Sequence, residues 1–92
     1  MQTGFSLILF ETADNEELVG YPEGATSDVL AELEIVAPHI RTSFREGAMP
    51  SVRAVGLVPA GTQVSVVRRD EIKVLCNAAD RTFVTAVSAL ID

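Results

Sequence analysis

Two side chains of this sequence, His39 and Cys76, could act as a nucleophile, a base or a metal ligand, and neither has the neighbours that such chemistry requires. His39 is the only histidine, and one imidazole among scattered carboxylates does not make a metal site. Cys76 ends an apolar run, and Asp80 nearby would oppose the thiolate that a nucleophilic cysteine needs. We therefore expect His39 to be a surface or packing residue and Cys76 to be a small buried side chain.

The acidic run "DNEE" at residues 14–17 offers carboxylate and amide oxygens, which are the ligands that hard cations prefer. It lacks the ligand spacing and the glycine of a calcium-binding loop. The six glycines of the chain form neither a phosphate-binding loop nor a dinucleotide fingerprint. The sequence therefore predicts no catalytic residue, no cofactor and no metal, in a protein that is not an enzyme.

Charge is divided unevenly along the chain. Residues 1–40 hold eight acidic side chains and no lysine or arginine, whereas residues 41–92 hold seven basic and five acidic ones. An acidic half argues against a nucleic-acid partner, which needs clustered lysine and arginine. Two interpretations stay open: an acidic surface that keeps the protein dissolved, or an acidic face that orients a basic partner.

The chain length of 92 residues predicts a single domain over residues 1–92. No apolar run approaches the roughly 20 residues of a membrane-spanning helix, so we expect no association with a membrane. The single cysteine excludes an intrachain disulfide. It fits a reducing compartment, which predicts a cytoplasmic protein.

The first half of the chain predicts a hairpin followed by a helix. The run "GFSLILF" is apolar on both faces, which is typical of a strand in the middle of a sheet, and "LVGYP" follows as its hairpin partner. Apolar residues at a period of 3.6 then predict a helix from Asp28 to Arg45, with Thr26 or Ser27 as its N-cap. Pro38 either kinks this helix or begins a second short one.

The second half predicts three strands and a closing helix. The runs "SVRAVGLVP", "TQVSVVRR" and "IKVLCN" are separated by short turns, which predicts an antiparallel meander with Gly61 at positive φ. The last stretch, "DRTFVTAVSALID", has apolar residues at helical spacing, so we predict a helix capped by Asp80. The expected fold is α+β: a five-stranded antiparallel sheet in the order β-β-α-β-β-β-α, with both helices packed on it.

This order of elements resembles the Roadblock/LC7 and longin group of small domains. The resemblance covers residues 5–91 and rests mainly on "VRAVGLVPAGTQVSVVRRDEIKVLCNAADRTFVTAVSALI", which is similar to the family's three-strand meander and closing helix. The N-terminal helix of Roadblock domains has no counterpart in this sequence. The resemblance implies a non-enzymatic, dimeric interaction module that scaffolds or regulates a partner protein, such as a small GTPase.

In such domains the third strand is an exposed sheet edge that pairs with its twofold mate. The resemblance places this edge at Val52 to Val58, a run whose only charge is Arg53 and which would invite aggregation if it stayed unpaired. A flank of small residues on the closing helix is a second candidate contact surface. The predicted interface residues are Val52, Arg53, Val55, Leu57, Arg41, Thr82, Ala86 and Ala89.

Other interpretations stay open beside the homodimer. Pro50 and Pro59 bracket the predicted edge and could blunt it enough for a monomer. A small-molecule sensor of the PAS-like or a related α+β type is the alternative function. It would have an apolar pocket lined by Phe10, Tyr21 or Phe44.

Overall fold

The computed structural model describes residues 1–12, 17–37, 52–78 and 80–92. These residues form mainly strands, with one α-helix and one short 3₁₀ turn among them. The elements are β1 Gln2–Thr3, β2 Leu7–Thr12, β3 Leu18–Pro22, α1 Ser27–Val36, β4 Val52–Val58, β5 Ser65–Arg69, β6 Lys73–Ala78, β7 Arg81–Ala86, the 3₁₀ turn Val87–Ala89 and β8 Leu90–Ile91.

Six of the strands form one sheet in the order β4-β2-β3-β7-β6-β5. The neighbours β3 and β7 run parallel, and the other four pairings are antiparallel. The short strands β1 and β8 pair with each other in a separate two-stranded sheet. Among the described residues, β4 and β5 are therefore the two edges of the large sheet.

The predicted fold of five antiparallel strands and two packed helices is wrong. Strands make up 54% of the structure, and the predicted closing helix is instead β7, the 3₁₀ turn and β8. The apolar pairs at residues 83–84 and 86–87 fit a helical stripe, but they fit equally a strand that is covered on both faces. The run is rich in the β-branched residues valine and threonine, and it lies between β3 and β6 with residues 83–86 all buried.

The predicted meander is also wrong at its first turn. The turn itself forms, because the Thr62 amide donates to the Pro59 carbonyl at 3.2 Å and Gly61 has the predicted positive φ of 82°. It does not join paired strands, however, since β4 pairs with β2 and β5 pairs with β6 at the opposite edge. Residues 59–64, here called the crossing segment, carry the chain from one edge to the other.

Strand β1 holds the crossing segment in place. The Thr3 amide donates to the Thr62 carbonyl at 2.9 Å, and the Gly61 amide donates to the Thr3 carbonyl at 2.8 Å. The Thr3 hydroxyl donates to the Pro59 carbonyl at 2.9 Å and accepts from the Thr62 amide at 3.2 Å. Thr3 is 1% exposed, whereas Pro59 and Gly61 are exposed, so these bonds attach a surface segment to a buried residue. The sequence predicted no strand at residues 1–3, because three residues are too few to show an alternation of apolar and polar side chains.

The first half of the chain follows the prediction more closely. Strand β2 lies inside the sheet, between β4 and β3, and forms the predicted hairpin with β3. Helix α1 begins at Ser27 with Thr26 as its N-cap, although no side-chain hydrogen bond caps it. The helix ends at Val36, and the rest of the predicted helix, from Pro38 to Arg45, lies outside the described residues.

The large sheet carries a hydrophobic cluster on each face. On one face, α1 covers the sheet through Leu33 and Ala37, which pack with strand residues such as Phe10, Val19 and Val84. The other face is covered by β1, β8, the crossing segment and, through Val29, the first turn of α1. The cluster there consists of Leu7, Leu9, Val29, Val58, Val64, Val74, Cys76, Ala78, Phe83, Ala89 and Leu90. Because both faces of the sheet are covered, the side chains of β2 are apolar on both faces.

The parallel pair of β3 and β7 is packed closely at Gly20. A Cβ atom added there would lie 3.1 Å from the Phe83 ring and 3.2 Å from the Leu7 side chain. The Gly20 carbonyl accepts a 2.8 Å hydrogen bond from the hydroxyl of Thr85, which is fully buried. Glycine thus allows the strands to meet without displacing the largest fully buried side chain, Phe83.

Replacing Thr3 by valine is expected to lower the free energy of unfolding by about 0.5–1.5 kcal/mol, because it removes both hydrogen bonds of the buried Thr3 hydroxyl, while the Thr62 amide and the Pro59 carbonyl keep their bond to each other. Chemical denaturation followed by circular dichroism measures this change. The matched control is Ser6→Ala, which removes an exposed 3.3 Å bond to the Ala60 amide and should change stability by less than about 0.5 kcal/mol. Equal effects of the two variants would contradict a central role for Thr3.

Replacing Gly20 by alanine is expected to lower the free energy of unfolding by about 1–3 kcal/mol, since the added methyl group overpacks Phe83 and Leu7. The control is Gly56→Ala on β4, where the nearest atoms lie at 3.6 Å and belong to the Arg81 side chain. That contact is ordinary, so the control should be neutral within about 0.5 kcal/mol. A neutral Gly20→Ala variant would show that the sheet relaxes around the methyl group.

Candidate protein-interaction edges

Strand β4 is an edge of the large sheet, where the sequence analysis placed an interaction strand. Its inner side pairs with β2, and no strand of the described residues pairs with its outer side. Arg53 and Ala54 are exposed, and Leu57 is 58% exposed, which is high for a leucine in a strand. Val55 is the extra residue of a bulge, because Gly56 lies opposite Leu9 and Ala54 lies opposite Phe10.

The single charge of this edge is already neutralised. Arg53 lies opposite Glu11 on β2, and its guanidinium group is 3.3 Å from the Glu11 carboxylate. Both side chains are largely exposed, so the pair contributes little to stability. Its consequence is electrostatic: the described residues of β4 carry no unpaired charge of their own, and the nearby cation is Arg81 of β7, whose side chain lies against Gly56.

Strand β5 forms the opposite edge, and its chemistry differs. All five of its residues are exposed, including Val66 at 42% and Val67 at 56%. Arg68 and Arg69 follow, and neither forms an ion pair within the described residues. A bulge lies between Val66 and Arg68. The sequence predicted this run as the second strand of the meander, with one wetter face; the adjacent arginines were the signal that neither face is covered at that end.

A polar hollow adjoins the first residue of β5. It has a volume of about 470 Å³ and is open to solvent, and its lining is Gln63, Ser65, Asn77, Ala78 and Asp80. The Thr82 hydroxyl donates to the side-chain oxygen of Asn77 at its border. Asp80 has a φ of 63°, which the two-residue connection between β6 and β7 requires.

The other predicted interface residues do not lie together. Arg41 is outside the described residues. Thr82 is exposed on β7, whereas Ala86 and Ala89 have no exposed surface and cannot contact a partner. The predicted flank of small residues does not exist, because it required a helix where β7 lies.

The residues of the alternative sensor pocket, His39 and the acidic run do not belong to either edge strand. Phe10 is buried and packs edge-to-face on Tyr21, with ring centres 6.4 Å apart, and Phe44 lies outside the described residues. His39 and residues 14–16 of the acidic run are also outside them. In the described ranges no three histidine, cysteine or carboxylate side chains are placed to hold a metal ion.

Cys76 is fully buried, as the sequence predicted, and belongs to the cluster on the crossing-segment side of the sheet. Burial raises the pKa of its thiol from 9.0 to about 11, because the thiolate loses its hydration in this apolar surrounding. The thiol therefore stays protonated and inaccessible near neutral pH.

No family model matches this chain, and no curated protein and no solved structure matches it either. The Roadblock/LC7 resemblance stays a prediction, although the fold that it implied is wrong. The helix that the described ranges contain is too short to cross a membrane.

Cys76 is expected to make the stability of the protein fall as the pH rises from 9.0 to about 11. The folded state raises the pKa of the thiol, so its contribution is complete below pH 9.0 and is lost as the pH approaches the folded value. Denaturation midpoints across this range, compared between the native chain and Cys76→Ala, measure the effect. Parallel pH profiles for the two proteins would contradict it.

Proposed function

We propose that the chain is a non-enzymatic interaction module that forms a homodimer by pairing β4 with the same strand of a second copy. The observation that carries the proposal is the outer side of β4. It has no neighbour among the described residues, exposes Leu57 at 58%, and bears one charge that Glu11 neutralises.

An edge of this kind suits a copy of itself. In a closed twofold contact the same surface is used by both copies, so an unneutralised charge close to the axis would approach its own equivalent. The Arg53–Glu11 pair removes that repulsion. Pairing would complete the free backbone hydrogen bonds of β4 and cover part of Leu57, which together lower the aggregation risk of an open edge. The bulge at Val55 interrupts the regular ladder, and so we expect a reversible dimer.

The proposal includes a cytoplasmic location, which is supported by the free and buried Cys76. A small GTPase as the protein that this module regulates was implied by the Roadblock/LC7 resemblance. It stays a prediction, and no contact of the described residues bears on it.

The Leu57→Lys variant is expected to raise the dissociation constant of the dimer by about tenfold or more, because it removes an apolar contact and puts a positive charge on each copy near the axis. Sedimentation velocity over a concentration series measures the association. The matched control is Val67→Lys at the opposite edge, where a residue of similar exposure, 56%, receives the same substitution.

A native chain that stays monomeric at high micromolar concentration would overturn the dimer. Equal weakening by Leu57→Lys and Val67→Lys would place the contact elsewhere. Both substitutions are at exposed positions, so both variants are expected to fold, and circular dichroism checks this before association is compared.

A further inference from the structure

We propose that β5, the opposite edge of the sheet, binds an extended acidic segment of a different polypeptide as an additional strand. This interaction goes beyond the proposed homodimer and uses another surface. It would allow one copy to pair with its mate through β4 and with a partner through β5 at the same time, because the two strands lie at opposite edges of the sheet.

The outer side of β5 is open along its whole length. Its inner side pairs with β6, and no other strand of the described residues pairs with it. The residues on both of its flanks, 59–64 and 70–72, belong to the described ranges. Val66 and Val67 add exposed apolar surface that an incoming strand would cover.

The charge of β5 selects an acidic occupant. Arg68 and Arg69 are exposed and have no ion pair among the described residues. Asp70 and Glu71 follow in the turn and Lys73 begins β6, so this end of the hairpin carries three cations and two carboxylates. A second copy of β5 carries two more arginines and no acidic side chain, whereas glutamate or aspartate side chains of another segment would pair with Arg68 and Arg69.

The register shows where the acidic side chains must lie. Arg68 is opposite Leu75 and Arg69 is opposite Val74, so the two arginines, as successive residues of a strand beyond the bulge, point to opposite faces of the sheet. An added strand with alternating acidic and apolar residues meets an arginine whichever face its carboxylates occupy. The bulge shortens the regular edge, which limits the ladder to a few residues.

The Ser65 end of β5 disfavours acidic side chains. Ser65 lines the polar hollow together with Asp80, whose carboxylate would repel an acidic side chain there. The occupant is therefore acidic at the Arg69 end, and at the Ser65 end it carries polar or basic residues. This gradient orients the segment along the strand as well as selecting its charge.

The test uses a fluorescent peptide of alternating valine and glutamate, about eight residues long, and a matched peptide of alternating valine and lysine. Fluorescence anisotropy is expected to show that the glutamate peptide binds the native chain at least about tenfold more tightly than the lysine peptide. The affinity should fall with added salt. In the double variant Arg68→Glu, Arg69→Glu the preference should reverse.

A matched control separates this inference from the homodimer. The Leu57→Lys variant on β4 should bind the glutamate peptide as tightly as the native chain does. Hydrogen exchange should slow at the amides of Val66 to Arg69 when the peptide is bound, and it should not change at Arg53 to Leu57. A monomeric native chain would overturn the dimer and leave this proposal intact.

Three outcomes would overturn the β5 proposal. These are equal affinity for the two peptides, undiminished binding of the glutamate peptide by the double variant, and slowed exchange at Arg53 to Leu57 without any change at Val66 to Arg69. Each would show that the arginines of β5 do not select the occupant.

Discussion

The arrangement of the sheet depends on the hydrogen bonds that the buried Thr3 makes to the crossing segment. The chain leaves the large sheet at β4 and re-enters it at β5 on the far edge, so residues 59–64 must cross one face without a strand partner in that sheet. The backbone groups of the crossing segment need other hydrogen-bond partners. Thr3 provides these partners through its amide, its carbonyl and its hydroxyl. Strand β1 pairs with β8 as well. Strand β1 therefore connects the crossing segment to β8.

This crossing has a functional consequence, because it keeps β4 and β5 apart. A simple hairpin would have paired the two strands and hidden one side of each. The crossing leaves two edges instead, and their charges differ: Arg53 is neutralised by Glu11, whereas Arg68 and Arg69 have no ion pair in the described part of the chain. An edge without an unpaired charge of its own can approach its own copy, and a basic edge favours a different, acidic strand. One small sheet can therefore hold two distinct contacts.

Signals from residues close in sequence predicted several elements correctly. The predictions that depended on strand pairing between distant residues were wrong. The doubly apolar run at β2, its hairpin with β3 and the start of α1 follow from residues close in sequence. The positive φ of Gly61 was also predicted correctly, but the strands on either side of that turn do not pair. For the candidate site, the edge at residues 52–58 was placed by the Roadblock/LC7 resemblance, with which the low charge of the run agreed, whereas the β5 edge was missed. Ala86 and Ala89 were misplaced along with the closing helix, because the run from Arg81 fits two periods.

The sequence by itself determined which segments are apolar, the tight turn at Gly61, the uneven charge, and the burial of Cys76, since each of these depends on neighbouring residues. Only the tertiary structure decided which strands lie at the edges and that β7 is a strand. Strand β7 lies in the interior of the sheet, between β3 and β6, where both of its faces are covered. Its residues 83–86 are accordingly buried. A strand satisfies its backbone hydrogen bonds through distant partners, and so its position cannot be read from its own residues.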